Sequence, residues 1–184
     1  MRNDMLVGDG LQTPTVYNRD QLVFSDFEAS GLERGSWPIE IGIVEIRSDG
    51  SVRVQSNLIR PHPSWREELW SPASAQIHGI FRERVDSAHP AEIIAAEYIE
   101  LIAAKTLVSD TPEFDGPWLD KLAATISATK TFNILGFNAV IAQFGFAGIK
   151  RAFNYLNAEE PPHRACEDAA RLAKALLTAS EGGK

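Results

Sequence analysis

The stretch Leu22-Val23-Phe24-Ser25-Asp26-Phe27-Glu28-Ala29-Ser30-Gly31-Leu32 runs from apolar, strand-forming residues into two acids separated by one residue. Successive side chains of a β-strand alternate between its two faces, so Asp26 and Glu28 share one face. Apolar residues on both faces predict a central strand that is covered on both sides. Two carboxylates on one face repel each other, and a divalent cation relieves that repulsion because it prefers oxygen ligands. The stretch therefore predicts a metal site, with a solvated acidic strand end as the alternative.

Length and composition indicate one globular domain. The chain has 184 residues and a mass of 20.2 kDa, with 44% hydrophobic and 23% charged residues. It has no apolar run as long as a membrane span, and its first ten residues lack the apolar segment of a signal peptide. Cys166 is the single cysteine, which excludes an internal disulfide. These features predict a cytoplasmic protein without membrane contact.

The net charge of −7 limits the kind of nucleic acid that the chain could bind. Nucleic-acid-binding proteins usually carry a surplus of basic residues that follows the phosphates, so an acidic chain should bind long duplexes poorly. It can still process strand ends where cations neutralise a cluster of its carboxylates. The charge favours short or single-stranded substrates.

The order of predicted elements defines the fold class. Residues 1–20 contain glycines and a proline without periodicity and predict a flexible N-terminal arm, followed by a domain over residues 21–180. Three strands joined by short turns, with a hairpin signal at Ser48-Asp49-Gly50, predict an antiparallel meander over 22–28, 39–46 and 52–59. Later strands at 106–109 and 132–135 alternate with helices at 71–78, 90–102, 114–127, 139–156 and 164–178. We therefore expect an α/β fold with a mixed five-stranded sheet and helices on both faces.

The last predicted helix offers a partner for the first two acids. Asp168 lies on the apolar stripe of this helix, whereas Glu167 lies on its charged face. An acid on a core-facing stripe needs a ligand or the helix N-terminus to stabilise its charge. His163 follows two prolines just before this helix and could act as a general base, or could be a surface histidine after a turn.

Two further acids compete for one more position in the site. Asp115 begins the apolar stripe of the helix predicted at 114–127, and Asp110 ends the strand predicted at 106–109. The pattern alone does not choose between them. Together with the other acids, either one would suit metal-assisted attack of water on a phosphodiester.

Three ordered motifs resemble the DEDD-type 3′–5′ exonucleases of the histidine subclass, which include polymerase proofreading subunits, ribonuclease T and oligoribonuclease. The resemblance extends from about residue 20 to residue 178. The family usually has Thr-Thr where this chain has Ala29-Ser30, and many members have His-Asn where it has Ser109-Asp110. The motifs are Asp26-Phe27-Glu28-Ala29-Ser30-Gly31-Leu32, Phe114-Asp115-Gly116-Pro117-Trp118-Leu119 and His163-Arg164-Ala165-Cys166-Glu167-Asp168.

The resemblance implies a ribonuclease H-like fold and a role for each matching residue. Two divalent cations, Mg²⁺ or Mn²⁺, would be held by Asp26, Glu28, Asp115 and Asp168, so that the resemblance favours Asp115 over Asp110. Asp26 would bridge the two cations, and His163 would deprotonate the attacking water. Leu32 would wedge against the terminal base, with Ser30, Gly31 and His78 as further substrate contacts. Ile77-His78-Gly79-Ile80 resembles the family segment that lies beside the terminal nucleotide.

The resemblance leaves several questions open. The activity implied is removal of nucleotides from a 3′ end. The alternatives are a non-catalytic nucleic-acid-binding or polymerase-accessory module and a small-molecule phosphodiesterase that uses the same site. Family members often form homodimers, and a polymerase partner is compatible with the sequence but not indicated by it. The sequence does not distinguish RNA from DNA.

Overall fold

The structure is a computed structural model, and it describes residues 15–128 and 131–181. Residues 1–14 of the predicted N-terminal arm lie outside the described residues. The remainder of that arm contains a 3₁₀ helix, Arg19–Gln21, which the side chain of Asn18 caps. The backbone N–H of Tyr17 donates to Oε1 of Gln143 at 3.1 Å, so this end of the arm contacts the domain.

One mixed sheet forms the centre of the fold, and its strands are arranged in the order β4-β3-β2-β1-β5-β6. Strands β1, β2 and β3 form the predicted antiparallel meander, and β5 and β6 extend the sheet parallel to β1. The expected α/β class is confirmed, but the sheet has six strands instead of five. The additional strand, β4, has two residues including a proline, so it carries no alternation that a sequence could reveal. The strands are β1 (Leu22–Ala29), β2 (Pro38–Ile46), β3 (Val52–Arg60), β4 (His89–Pro90), β5 (Thr106–Ser109) and β6 (Asn133–Gly136).

Seven α-helices surround the sheet in the described part of the chain. The helix predicted at 139–156 is instead interrupted, because a 3₁₀ turn, Ala142–Phe144, leads into Gly145 with a φ of 63°. A further short helix, α2 (Arg82–Asp86), is not expected from the sequence. None of the described helices is long and apolar enough to cross a membrane. The helices are α1 (Pro72–His78), α2 (Arg82–Asp86), α3 (Ala91–Ile102), α4 (Pro112–Ala124), α5 (Phe137–Ile141), α6 (Gly145–Leu156) and α7 (Ala165–Ser180).

The two faces of the sheet bury separate cores, as the apolar residues on both sides of β1 predict. Val23 and Phe27 pack with helices α3 and α4, and Leu22 and Phe24 pack with helices α5 to α7. Asp26 and Glu28 continue the second face of β1 beyond Phe24. The two acids therefore lie on the side of the sheet that α7 covers.

A glycine in β2 allows α7 to approach the sheet at the level of these acids. Gly42 is paired with Asp26 in the β1–β2 register. A Cβ atom at Gly42 would overlap the carbonyl carbon of Ala165, the first residue of α7. Only glycine leaves room for this contact, so the sequence at position 42 determines how closely the start of α7 approaches β1.

We expect Gly42→Ala to destabilise the protein by about 1–3 kcal/mol or more, because the added methyl group meets backbone atoms. Gly116→Ala is the matched control. Gly116 lies inside helix α4, and a Cβ there would make an ordinary contact of 3.8 Å with the side chain of Ile134. The control should be neutral or stabilising by up to about 1 kcal/mol. Urea unfolding of both variants measures the difference, and equal stability of the two would contradict the close approach of α7.

Candidate active site

Three acids from two distant parts of the chain meet at the end of β1. Asp26 and Glu28 project from β1, and Asp168 projects from the first turn of α7. One carboxylate oxygen from each of the three lies within 4.8 Å of the other two. This is the arrangement that the alternation in β1 and the stripe of α7 predict.

Two arginines hold the carboxylate of Asp168. Its Oδ2 accepts the backbone N–H of Arg164 at 3.0 Å, and its Oδ1 accepts from Arg171 at 3.1 Å. Arg171 also donates to the backbone carbonyls of Leu156 and Glu159. The carboxylate is thus fixed by the turn that precedes α7 and by the end of α6.

The two competing acids, Asp115 and Asp110, occupy different environments. Asp115 is 1% exposed, and its Oδ2 accepts the hydroxyl of Ser109 at 2.6 Å. Its Oδ1 is buried and has no hydrogen-bond partner among the described residues. Asp110 is exposed and lines the cavity beside the acids, whereas Asp115 is buried and does not line it.

A cavity of about 360 Å³ opens over the three clustered acids. Of the residues predicted to contact substrate, Gly31, Leu32 and His78 line it, and Ser30 does not. The hydroxyl of Ser30 is buried and accepts the backbone N–H of Trp37 at 3.1 Å. The remaining lining residues are Asp26, Phe27, Glu28, Ala29, Ser74, Ile77, Asp110, Thr111, Phe114, Trp118, Pro161, His163 and Asp168.

His163 lines this cavity in an unusual backbone conformation. Its φ of 53° lies in the left-handed region, which residues with a Cβ rarely adopt. The imidazole is exposed, and the residue follows Pro161-Pro162 directly. Residues held in sparsely populated conformations cluster at functional sites. The conformation therefore adds a structural reason to consider His163 functional.

His78 is held in a defined orientation at the end of α1. It is 5% exposed, and its Nδ1 accepts the backbone N–H of Ile80 at 3.1 Å. Because Nδ1 is an acceptor, the neutral ring carries its proton on Nε2, which has no partner among the described residues. Burial lowers the pKa of His78 and favours this neutral form.

The site strongly disfavours negative charge on its own acids. Burial raises the pKa of Asp26 well above its usual range, and the nearby carboxylates of Asp115 and Glu28 raise it further. Burial, followed by the charge of Asp168, raises the pKa of Glu28 to about 8. Burial also raises the pKa of Asp115, against the opposing effect of the Ser109 hydroxyl.

These acids fit a divalent cation. Carboxylate oxygens are the donors that Mg²⁺ and Mn²⁺ prefer, and a cation would stabilise the charged forms that burial disfavours. The unpartnered Oδ1 of Asp115 is one more buried acceptor that an ion or its water could satisfy. Asp26, Glu28 and Asp168 could hold an ion directly.

Several residues of the site received no individual role from the sequence, although Ile77 belongs to the segment expected beside the terminal nucleotide. Ile77 and Phe114 join Leu32 as exposed apolar side chains of the cavity, and Leu32 itself is 72% exposed. Ser109 holds Asp115, and Glu40 binds Arg164 beside the clustered acids. Glu40 had a detectable signal, because it is one of two acids in strand β2, whose other residues are apolar or glycine.

The site combines a mixed sheet with acids that gather at the end of β1, one of its two central strands. A sequence profile of the RNase T exonuclease family, described as exonuclease, matches residues 23–176. The chain belongs to this family. A comparison with curated proteins finds no match.

Solved structures of bacterial exonuclease I share the fold at low sequence identity. Escherichia coli exonuclease I in complex with a dT13 oligonucleotide gives a TM-score of 0.65 at 15% identity, covering 86% of this chain and 41% of that one. The zinc-bound form of its complex with single-stranded DNA gives a TM-score of 0.66 at 14% identity, covering 91% of this chain and 42% of that one. Exonuclease I from Methylocaldum szegediense gives a TM-score of 0.65 at 12% identity, covering 89% of this chain and 41% of that one. The ribonuclease H-like fold is confirmed, and the chain spans about two fifths of the length of these relatives.

We expect Asp26→Asn to stabilise the EDTA-treated protein at pH 8 by about 1 kcal/mol or more, and much less at pH 4. The raised pKa of Asp26 means that the folded protein binds its proton more tightly than the unfolded chain does. The protonated carboxyl of Asp26 stabilises the folded protein fully below the pKa of 3.8 that Asp26 has in the unfolded chain. This stability is lost as the pH rises toward the higher pKa of Asp26 in the folded protein, and asparagine, which does not titrate, avoids the loss. Urea unfolding at both pH values measures the effect.

Asp120→Asn is the control for this prediction, because Asp120 is exposed on helix α4. It should change the free energy of unfolding by less than about 0.5 kcal/mol at either pH. An Asp26→Asn effect that is equal at pH 4 and pH 8 would contradict the electrostatic burial of Asp26.

Proposed function

We propose that this protein is a metal-dependent 3′–5′ exonuclease of the histidine subclass. It hydrolyses phosphodiester bonds at the 3′ end of single-stranded or short nucleic acid, with two divalent cations, Mg²⁺ or Mn²⁺, and His163 as general base. One observation carries the proposal: carboxylate oxygens of Asp26, Glu28 and Asp168 lie within 4.8 Å of one another, and His163 lines the same cavity.

The acids supply the metal ligands in this proposal. Asp26, Glu28 and Asp168 would hold one ion, and Asp26 with Asp115 would hold the second, in part through water. Bound divalent cations would neutralise the phosphate and stabilise the charge that develops on the attacking and leaving oxygens. The hydrogen bonds from Arg164 and Arg171 keep the Asp168 carboxylate directed toward β1.

His163 takes the proton from the attacking water. Histidine is the side chain that most often serves as a general base near neutral pH. The exposed imidazole lines the cavity in which the substrate would lie. A proton taken at the imidazole can then pass directly to solvent.

The walls of the cavity suit a terminal nucleotide. Leu32, Ile77 and Phe114 present exposed apolar surface on which a base can stack. His78 and Gly31 line the same cavity and would be further contacts of this nucleotide. Ser30 supports this wall through its bonds to Trp37 and Ser71.

Single-stranded substrates are favoured by two observations. Among the exonuclease I structures with the same fold, one is a complex with single-stranded DNA and another is a complex with a dT13 oligonucleotide. The net charge of −7 also disfavours a long duplex, because an acidic chain repels the row of phosphates. Neither observation favours RNA over DNA, so the assay uses both an RNA and a DNA substrate.

We expect His163→Asn to lower kcat by roughly 10²- to 10⁴-fold, because it removes the general base. Asparagine tolerates the left-handed conformation well, so the melting temperature should stay within a few degrees of the wild-type value. Single-turnover kinetics and thermal unfolding of the same preparation measure both. A variant that keeps more than about a tenth of the wild-type rate would contradict the role of His163.

Digestion of 5′-labelled single-stranded RNA and DNA of one sequence tests the reaction itself. With Mg²⁺ or Mn²⁺ we expect a ladder that shortens from the 3′ end, and no ladder with EDTA or with Asp26→Asn. Asp120→Asn is the matched control and should cleave like the wild type, since this acid is exposed on α4 outside the cavity. The faster substrate identifies the preferred sugar.

Two results would contradict the proposal when a small phosphodiester is assayed beside the oligonucleotides. Cleavage of a small phosphodiester such as bis-p-nitrophenyl phosphate, without cleavage of either oligonucleotide, would indicate a small-molecule phosphodiesterase. Binding of the oligonucleotides without turnover under any metal condition would indicate a non-catalytic module.

A further inference from the structure

His163 lies in the turn before α7, and Asp168 lies five residues later in the first turn of α7. The position of this junction therefore determines the positions of two functional side chains. Arg164 lies between them and is bound twice. Its backbone N–H donates to Oδ2 of Asp168 at 3.0 Å, and its guanidinium donates to the carboxylate of Glu40. The turn itself contains the strained residue His163, so it needs an external contact to stay in place.

Glu40 supplies that contact from the sheet. It is 3% exposed and is paired with Glu28 in the β1–β2 register. Arg164 binds it through two donors, Nε to Oε2 at 3.0 Å and Nη2 to Oε1 at 2.5 Å. The backbone N–H of Ala165 also donates to Oε2 at 3.1 Å. One buried carboxylate thus ties the first residues of α7 to the strand beside the metal ligands.

The packing beside this ion pair leaves α7 little freedom to move independently. Gly42, two residues along β2 from Glu40, is in close contact with the backbone of Ala165 and Cys166. The ion pair and the glycine contact therefore act on the same turn of α7. A carboxylate that accepts three hydrogen bonds, two of them charge-assisted, fixes geometry more strongly than an exposed ion pair does.

We propose that Glu40 and Arg164 are positioning residues of the active site, which hold Asp168 and His163 in register with Asp26 and Glu28. The inference rests on the proposed function, because it assigns a purpose to the turn that carries the base and one ligand. Neither residue touches the reacting atoms. They act through Asp168 and His163.

The ion pair of Glu40 and Arg164 could have a purely structural role or a purely electrostatic role instead of a positioning role. Each of the three roles predicts a different experimental result. A purely structural pair would contribute to folding and leave the folded site unchanged. A purely electrostatic pair would act on bound cations by charge alone: removing the negative Glu40 would weaken cation binding, and removing the positive Arg164 would strengthen it. Positioning predicts that both removals weaken cation binding, because both release the turn.

The test compares Glu40→Gln, Arg164→Met and the double variant with wild type. The double variant keeps the test valid if an unpaired buried charge prevents a single variant from folding. Glu45→Gln is the matched control, since Glu45 lies on the same strand, is 9% exposed and pairs with Arg53 and Lys105 away from the cavity. Mn²⁺ affinity by titration calorimetry, the melting temperature and kcat at saturating Mn²⁺ are measured for each.

We expect both single variants and the double variant to bind Mn²⁺ more weakly and turn over more slowly, each by roughly 10- to 100-fold. The double variant should lose no more than the worse single variant, because the two residues act as a unit. Glu45→Gln should lower the melting temperature while its Mn²⁺ affinity and kcat stay within about twofold of wild type.

Two results would overturn the inference. The first is a loss of melting temperature alone, with Mn²⁺ affinity and kcat retained as in Glu45→Gln. The second is tighter Mn²⁺ binding by Arg164→Met together with weaker binding by Glu40→Gln. A wild-type protein that binds Mn²⁺ but cleaves nothing would refute the proposed function alone, and the Mn²⁺ affinities would still decide the role of the pair.

Discussion

Repulsion between carboxylates that share a desolvated surface is the constraint on which this structure depends. Asp26 and Glu28 extend from the buried face of β1, and Asp168 approaches them from α7. Burial raises the pKa of Asp26 and of Glu28, so the fold holds these groups where their charged forms are unstable without a counter-charge. An arrangement that opposes folding in this way is retained where a cation or a reaction needs it.

The rest of the fold brings these groups together and keeps them in place. The antiparallel pairing of β1 with β2 puts Gly42 opposite Asp26 and Glu40 opposite Glu28. The missing side chain at Gly42 admits the first turn of α7, and Glu40 binds that turn through Arg164. One strand pair therefore sets both the position of the acids and the position of the helix that completes them.

The sequence predicts those parts of the molecule that depend on local patterns. Alternation predicts β1 to β3, and the stripe of α7 predicts that Asp168 faces the sheet. The interruption at Gly145 was missed because apolar spacing continues across it, and β4 was missed because two residues have no pattern. The pair of Glu40 and Arg164 joins residues 124 positions apart, and only the folded register brings them together. Likewise, only the folded structure shows that Asp110 lines the cavity and that Asp115 is buried and does not.

Diffraction from crystals soaked in Mn²⁺ tests most directly whether the clustered acids form a cation site. Data collected at the manganese absorption edge locate the ion without reference to activity. We predict an anomalous peak within coordinating distance of Asp26, Glu28 and Asp168, absent from crystals of Asp26→Asn. No peak among these three residues at saturating Mn²⁺, or an equal peak in the variant, would contradict a cation site at the end of β1.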